Sequence, residues 1–275
     1  IMLFKKIIIS LLRFIQELFG FNKLTSHENN GGFDYLTKFK FIIKAIHFLP
    51  YSRGLTIRGV SFSDYSKDPF GSCFKNQDFE NFNKDIYIKN LEKFYISEKN
   101  KKIKDYNSVF LNSKYQDYPI WSFSYPWENM SIDEKFKYYP KLVLQNRAEY
   151  VVNSDNLNFS NLYNLDYAIT HANQFDNLLN IINSQGFNLN LSRPKVIILI
   201  KNNEWKWIMS GQGNHRAYLM RFLKNYSLPV EIESVIYYEK LKKLKKKGNL
   251  SYTEKQAKAI FDFVFDGCNV SRGII

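Results

Sequence analysis

The sequence predicts an α+β protein, in which a C-terminal half of alternating strands and helices follows a helical and irregular N-terminal region. Three observations carry this expectation. Residues 194–200 (PKVIILI) form a run too short and too β-branched for anything but a buried strand. Asn202-Asn203 turns the chain, and residues 204–209 (EWKWIM) alternate as the second arm of a hairpin. Residues 173–185 place Phe175, Leu178, Leu179 and Ile182 at helical spacing, with Gly186 as the C-cap. At 275 residues and 45% hydrophobic content the chain can bury a sizeable core, which excludes a disordered or collagen-like protein.

The elements follow in chain order. Residues 2–24 line up Leu3, Ile7, Leu11, Phe14, Ile15 and Leu18 on one helical face, which predicts an amphipathic helix. Arg13 interrupts its apolar run, which is too short to span a bilayer. The helix suits either docking on the protein's own core or peripheral contact with a membrane. Gly31-Gly32 breaks the chain, and residues 35–49 repeat Leu36, Phe39, Ile43 and Ile46 as a second helix closed by Pro50, with His47 near its C-terminal dipole. Residues 51–85 are irregular; Arg53, Arg58, Asp64 and Asp68 are able to line a polar cleft, although loop charges are ordinarily just solvated. Residues 86–104 are expected to be helical and 105–130 extended. Ser131 with Glu134 is a capping box for a helix broken at Pro140.

Residues 149–152 (EYVV) are a short strand, and His171 falls in the N-cap region of the 173–185 helix. Trp205 and Trp207 share one face of their strand, which favours the core. Residues 217–223 are helical, 229–236 form a further strand, and a C-terminal helix spans 252–265. This divides the chain into an N-terminal helix (1–26), an N-terminal region (27–144), a module (145–240) and a basic linker with a C-terminal helix (241–275).

Charge adds a constraint. Lys and Arg number 39 against 26 Asp and Glu, a net charge of +13. The excess concentrates in residues 2–24 and in the lysine run 240–247, whereas segment 145–239 balances eight basic against eight acidic residues. A dedicated nucleic-acid groove in that segment is disfavoured, because affinity for a polyphosphate grows with each phosphate neutralised. Cys73 and Cys268 lie in no metal-ligand pattern, so no metal site is expected, and a reduced cytoplasmic setting follows.

The chemistry concentrates at Ser210-Gly211-Gln212-Gly213-Asn214-His215-Arg216, where a strand passes through a glycine turn into a helix. Such a helix start is an anion site, since its first backbone N–H groups lack intrahelical partners and its dipole end is positive. Arg216 adds a planar fork suited to phosphate, and His215 a group able to donate to it or to act as acid or base. This turn and the surrounding order of elements, about residues 145–240, resemble the ParB/sulfiredoxin superfamily, whose signature is a Gly-x-x-Arg or Gly-x-His-Arg turn. The resemblance implies a mixed sheet with flanking helices. It also implies that Ser210, Gly211, Gly213, Asn214, His215 and Arg216 hold the phosphates of a nucleoside triphosphate, ATP or CTP, with Mg²⁺.

Departures from the family narrow the expected activity. Asn214 stands where sulfiredoxins resemble one another in a nucleophilic cysteine, so sulfinic acid reduction is not expected. Only about 35 residues follow residue 240, too few for the DNA-binding domain of the clamp branch. The kinase branch implies transfer of phosphate to a small hydroxyl compound, with His215 in the catalytic group and one of Glu149, Asp155 or Asp166 taking the acceptor proton. Two alternatives stay open: a nucleic-acid-binding or nuclease-type protein, and a membrane-peripheral interaction protein that keeps the turn only as scaffold.

Overall fold

The computed structural model describes residues 46–74, 77, 82–98, 101–107, 113–119, 122–145, 165–186, 193–211, 213–241 and 252–267. Its strands are β1 (His47–Pro50), β2 (Gly54–Leu55), β3 (Lys195–Lys201), β4 (Glu204–Met209) and β5 (Ser227–Tyr237). Its helices, apart from a single turn at Lys104–Asn107, are α1 (Pro69–Cys73), α2 (Lys84–Glu98), α3 (Ile132–Gln145), α4 (Leu165–Gln185), α5 (Asn214–Phe222) and α6 (Glu254–Phe265). The α+β class is as the sequence predicts.

The five strands form one mixed sheet in the order β1-β5-β3-β4-β2. β3 and β4 are an antiparallel hairpin closed by Asn202 (φ 52°) and Asn203 (φ 64°), the left-handed pair that a two-residue primed turn requires. β5 lies parallel to β3 on its other side, so α5 carries the chain across the face of β3. β1 pairs antiparallel with β5 at one edge, and β2 parallel with β4 at the other.

Strand alternation sends side chains to two cores. Val196 and Ile198 of β3 and Trp205, Trp207 and Met209 of β4 face a core shared with α2, α4 and α5. Ile197, Leu199 and Ile208 face a second core built on Ile260, Phe261, Val264 and Phe265 of α6 together with Trp127. β5 changes sides midway: Leu228, Val230 and Ile232 join the first core and Ile236 the second. The cause is a bulge, where the partner of β3 jumps from Ile232 to Ser234 and the period-two pattern slips by one residue. α6 is held to the sheet by Lys201–Asp262 (2.8 Å) and by Lys206 donating to the Phe265 carbonyl.

Two predicted caps are present. Ser131 N–H donates to Glu134 Oε2 at 2.7 Å while Glu134 N–H donates to Ser131 Oγ at 3.2 Å, and Gly186 ends α4 at φ 72°. Several boundaries differ: α2 spans Lys84–Glu98 against an expected 86–104, β5 spans Ser227–Tyr237 against 229–236, and residues 51–85, expected to be irregular, hold β2 and α1. Residues 47–50 are a strand and not the end of a helix; His47 pairs with Val230, and the free edge of β5 outweighs local helical periodicity. α3 runs on through Pro140, since the loss of one backbone bond does not by itself end a helix. α4 begins eight residues before position 173, extending its apolar stripe back through Ala172 and Ala168, and α5 begins three before 217, taking in the polar Asn214, His215 and Arg216. The predicted helices at 2–24 and in 35–45, the strand 149–152 and the lysines 242–247 lie outside the described residues.

Candidate functional site

β4 leaves the sheet at Ser210, whose N–H donates to the Lys195 carbonyl at 3.0 Å. The chain then passes Gly211 (φ 105°) and Gly213 (φ 79°), the N-cap of α5. Gly213 is required twice over, by its left-handed backbone and because a Cβ there would sit 2.5 Å from Pro194 Cα. Asn214 Nδ2 donates to the Gly211 carbonyl at 3.2 Å and closes the turn. The first backbone bond of α5 runs from Ala217 N–H to the Gly213 carbonyl (3.1 Å), so Asn214, His215 and Arg216 form the opening turn of the helix at the positive end of its dipole. Asn214 Oδ1 and Ser210 Oγ are buried and meet no hydrogen-bond partner among the described residues. Buried polar atoms left so cost about 1–3 kcal/mol each until something reaches them.

The structure therefore brings Ser210, Gly211, Gly213, Asn214, His215 and Arg216 into one turn, with His215 and Arg216 in the first turn of α5. It does not do the same for the carboxylates. Glu149 and Asp155 lie outside the described residues; Asp166 falls in the first turn of α4, and its side chain is not among those described.

Behind His215 lies a residue that the sequence reading placed elsewhere. His171 is not at a helix cap but in the second turn of α4, 2% exposed, on the inward stripe with Ala168, Ala172, Phe175 and Leu179. Its Nε2 is 2.7 Å from His215 Nε2, and its Nδ1 is 2.8 Å from the hydroxyl of Tyr87, a buried residue of α2. Phe70 of α1 stacks on the His171 ring (5.0 Å, 13°) and meets His215 edge-on (5.4 Å), while Phe175 lies 5.2 Å from His215. Aromatic rings thus fix both imidazoles from several sides.

α1 is itself anchored by Asp68, whose Oδ1 accepts from Phe70 N–H at 3.1 Å as the N-cap. The sequence reading grouped Asp68 with solvated loop charges, yet it is 1% exposed. Burial raises its carboxyl pKa, more than Arg58 and the nearby Tyr218 and Thr56 hydroxyls lower it. Neither Asp68 Oδ2 nor the Tyr218 hydroxyl meets a partner in good hydrogen-bond geometry among the described residues. Tyr218 lies one turn beyond His215, and Ile57 Cδ1, beside Arg58, approaches within 3.8 Å of the position a Gly211 Cβ would take. The 56–58 loop and Asp68 therefore back the same glycine turn.

The raised pKa fixes the sign of a pH effect. Above about pH 4 the unfolded chain's aspartate is ionised while folded Asp68 still holds its proton, so the unfolded state binds fewer protons and stability falls as pH rises through the folded pKa. Asp68→Asn keeps the cap oxygen and removes the titration. Its melting temperature should match the wild type near pH 4 and exceed it as pH rises from there through the folded pKa, as thermal unfolding against pH will show.

Among the described residues no cluster of three or more His, Cys, Asp or Glu is arranged to hold a metal ion, and no helix is long and apolar enough to cross a membrane. No known protein family, curated protein or solved structure matches the chain.

Proposed function

We propose that the turn from Ser210 to Arg216 binds the phosphates of a nucleoside triphosphate, ATP or CTP, and that the protein transfers phosphate to a small hydroxyl compound. The observation that carries this reading is the helix start itself: the left-handed glycine turn opens the positive end of the α5 dipole and places His215 and Arg216 side by side in its first turn. The resemblance of residues 145–240 to the ParB/sulfiredoxin superfamily supports it, as does Asn214 in place of a cysteine.

In this reading Arg216, His215 and the turn N–H groups bear the charge of the transferring group, and Ser210 and Asn214 supply the polar wall. One of Glu149, Asp155 or Asp166 takes the proton of the acceptor hydroxyl, and that oxygen bonds to the terminal phosphorus as its bond to the bridging oxygen breaks. Mg²⁺ would be held by the phosphate oxygens and by a carboxylate of that same set, and would neutralise charge on the phosphates.

Thermal unfolding against ATP, ADP, CTP and GTP, with and without Mg²⁺, tests the reading. A nucleotide at about 100 times its dissociation constant should stabilise the protein by about 2.7 kcal/mol. Arg216→Ala should abolish the shift. A panel in which no nucleotide stabilises the wild type, or in which Arg216→Ala binds as tightly, overturns the proposal.

A further inference from the structure

We infer that the N-terminal region completes the glycine turn: Asp68 and Phe70, at the start of α1, are positioning residues that fix the ring of His215 against the turn's ligand. This rests on the phosphate-binding reading of the turn and adds to it a contribution from outside the 145–240 module.

A histidine placed at a helix start is not thereby aimed. Rotation about its terminal sp³–sp² torsion is broad, so the backbone of α5 leaves open which edge of the imidazole faces the ligand. Ring packing narrows that choice. His171 and Phe175, both on α4, meet His215 with ring centroids 4.1 Å and 5.2 Å away. Phe70 brings a second element against the same ring, at 5.4 Å and 63°, and stacks on His171 at 5.0 Å and 13°. It also meets Tyr218, three residues beyond His215 on α5, at 5.7 Å. Phe70 is thus a wedge between α4 and α5 that touches both imidazoles, in the stacked and edge-to-face geometries that aromatic rings prefer.

A wedge holds only where its own backbone is held. Asp68 does this as the N-cap of α1: its Oδ1 accepts from Phe70 N–H at 3.1 Å and its carbonyl from Ser72 N–H at 2.7 Å, while Pro69 is pre-set for the first helical position. A helix of five residues is too short to be stable by itself, so the cap and the packing decide where α1 lies. Asp68 is buried beside the hydroxyls of Thr56 and Tyr218, which seats the cap against α5 itself.

This role has a signature that general packing lacks. Phe70→Leu keeps an apolar side chain and removes the ring; it should weaken nucleotide binding about fivefold in calorimetric titration, and in a His215→Ala background the same change should cost nothing further. Asp68→Ala, which loses the cap, should behave likewise, and Asp68→Asn, which keeps the cap oxygen, should restore the affinity. Equal losses with and without His215 overturn the inference, because a wedge that only supports the fold acts whether or not His215 is present. The ligand-free protein supplies a separate readout. Histidine side-chain proton–nitrogen spectra should show the same His215 resonances in the wild type and in Asp68→Asn, and displaced ones in Asp68→Ala, where the Phe70 ring is retained but its anchor is gone. Unchanged resonances in Asp68→Ala overturn the inference, and so does a lack of through-space cross-peaks between Phe70 and His215 in the wild type, which decides the matter even where a variant fails to fold. A protein that shows these shifts and binds no nucleotide keeps the positioning of His215 and fails the phosphate reading alone.

Discussion

Gly213→Ala should destabilise the protein by about 2–4 kcal/mol and, under the proposed phosphate-binding role of the turn, remove stabilisation by nucleotide. Two costs add at this position. A left-handed backbone at φ 79° penalises any side chain by about 1 kcal/mol. The new Cβ would also lie 2.5 Å from Pro194 Cα and 2.9 Å from Pro194 Cβ, and overpacking of this kind costs about 1–3 kcal/mol. Pro194 cannot easily give way, because it leads into β3 and its carbonyl accepts from Glu231 N–H at 2.9 Å. The strain falls on the turn, and with it on the N–H groups and on His215 and Arg216, which follow directly. Gly186→Ala is the control, since Gly186 has a comparable φ of 72° and nothing within 4 Å of the added carbon. Urea unfolding of both variants should show Gly186→Ala losing only the backbone share, and equal losses would remove the clash from the explanation.

The glycine turn was legible in the sequence because each of its signals is local. A short β-branched run, two adjacent asparagines, an alternating strand and paired glycines before His-Arg act over a few residues each, and β3, β4 and α5 follow them closely. β1 and β2 carry no such signal. They are four and two residues long, and they exist because β5 and β4 offer unpaired edges, a fact about the assembled sheet. His171 was open to detection: reading α4 from 173 cut off Ala168, His171 and Ala172, which continue the stripe of Phe175 and Leu179. A histidine on an inward stripe needs a buried partner, which would have directed attention to another polar residue of the core. Tyr87, that partner, stands among the lysines and glutamates of the helix expected over 86–104, where no local pattern marks it for the core. Asp68 reads as a loop charge because its burial comes from capping α1 beneath Tyr218, long-range packing that no window along the chain contains.

Trp207→Ala should cost about 3–5 kcal/mol, the range for truncating a fully buried aromatic. Trp207 has no exposed surface, packs 5.3 Å from Phe62 and 6.0 Å from Tyr51, and donates its indole N–H to the Pro50 carbonyl at 2.9 Å. It thereby ties β4 to the segment that supplies both edge strands. Tyr51 in turn donates its hydroxyl to the Ala217 carbonyl of α5 at 2.7 Å, so a segment loosened at Trp207 reaches the helix that carries His215 and Arg216. Under the proposed function, part of the nucleotide-induced shift should be lost as well. Gly54 provides the sharper test. It pairs with Trp207 across β2 and β4, and a Cβ on it would lie 2.2 Å from Trp207 Cζ2, so the ring occupies the space that any other residue at 54 would need. Gly54→Ala alone should be strongly destabilising, yet in the Trp207→Ala background the same methyl enters space the indole has vacated. The double variant should then be more stable than the sum of the two losses implies, by about 1–3 kcal/mol of coupling. Strict additivity in denaturant melts would mean that the two residues do not share that space, and that the cost of losing Trp207 arises from its contacts with Phe62, Tyr51 and Pro50 alone.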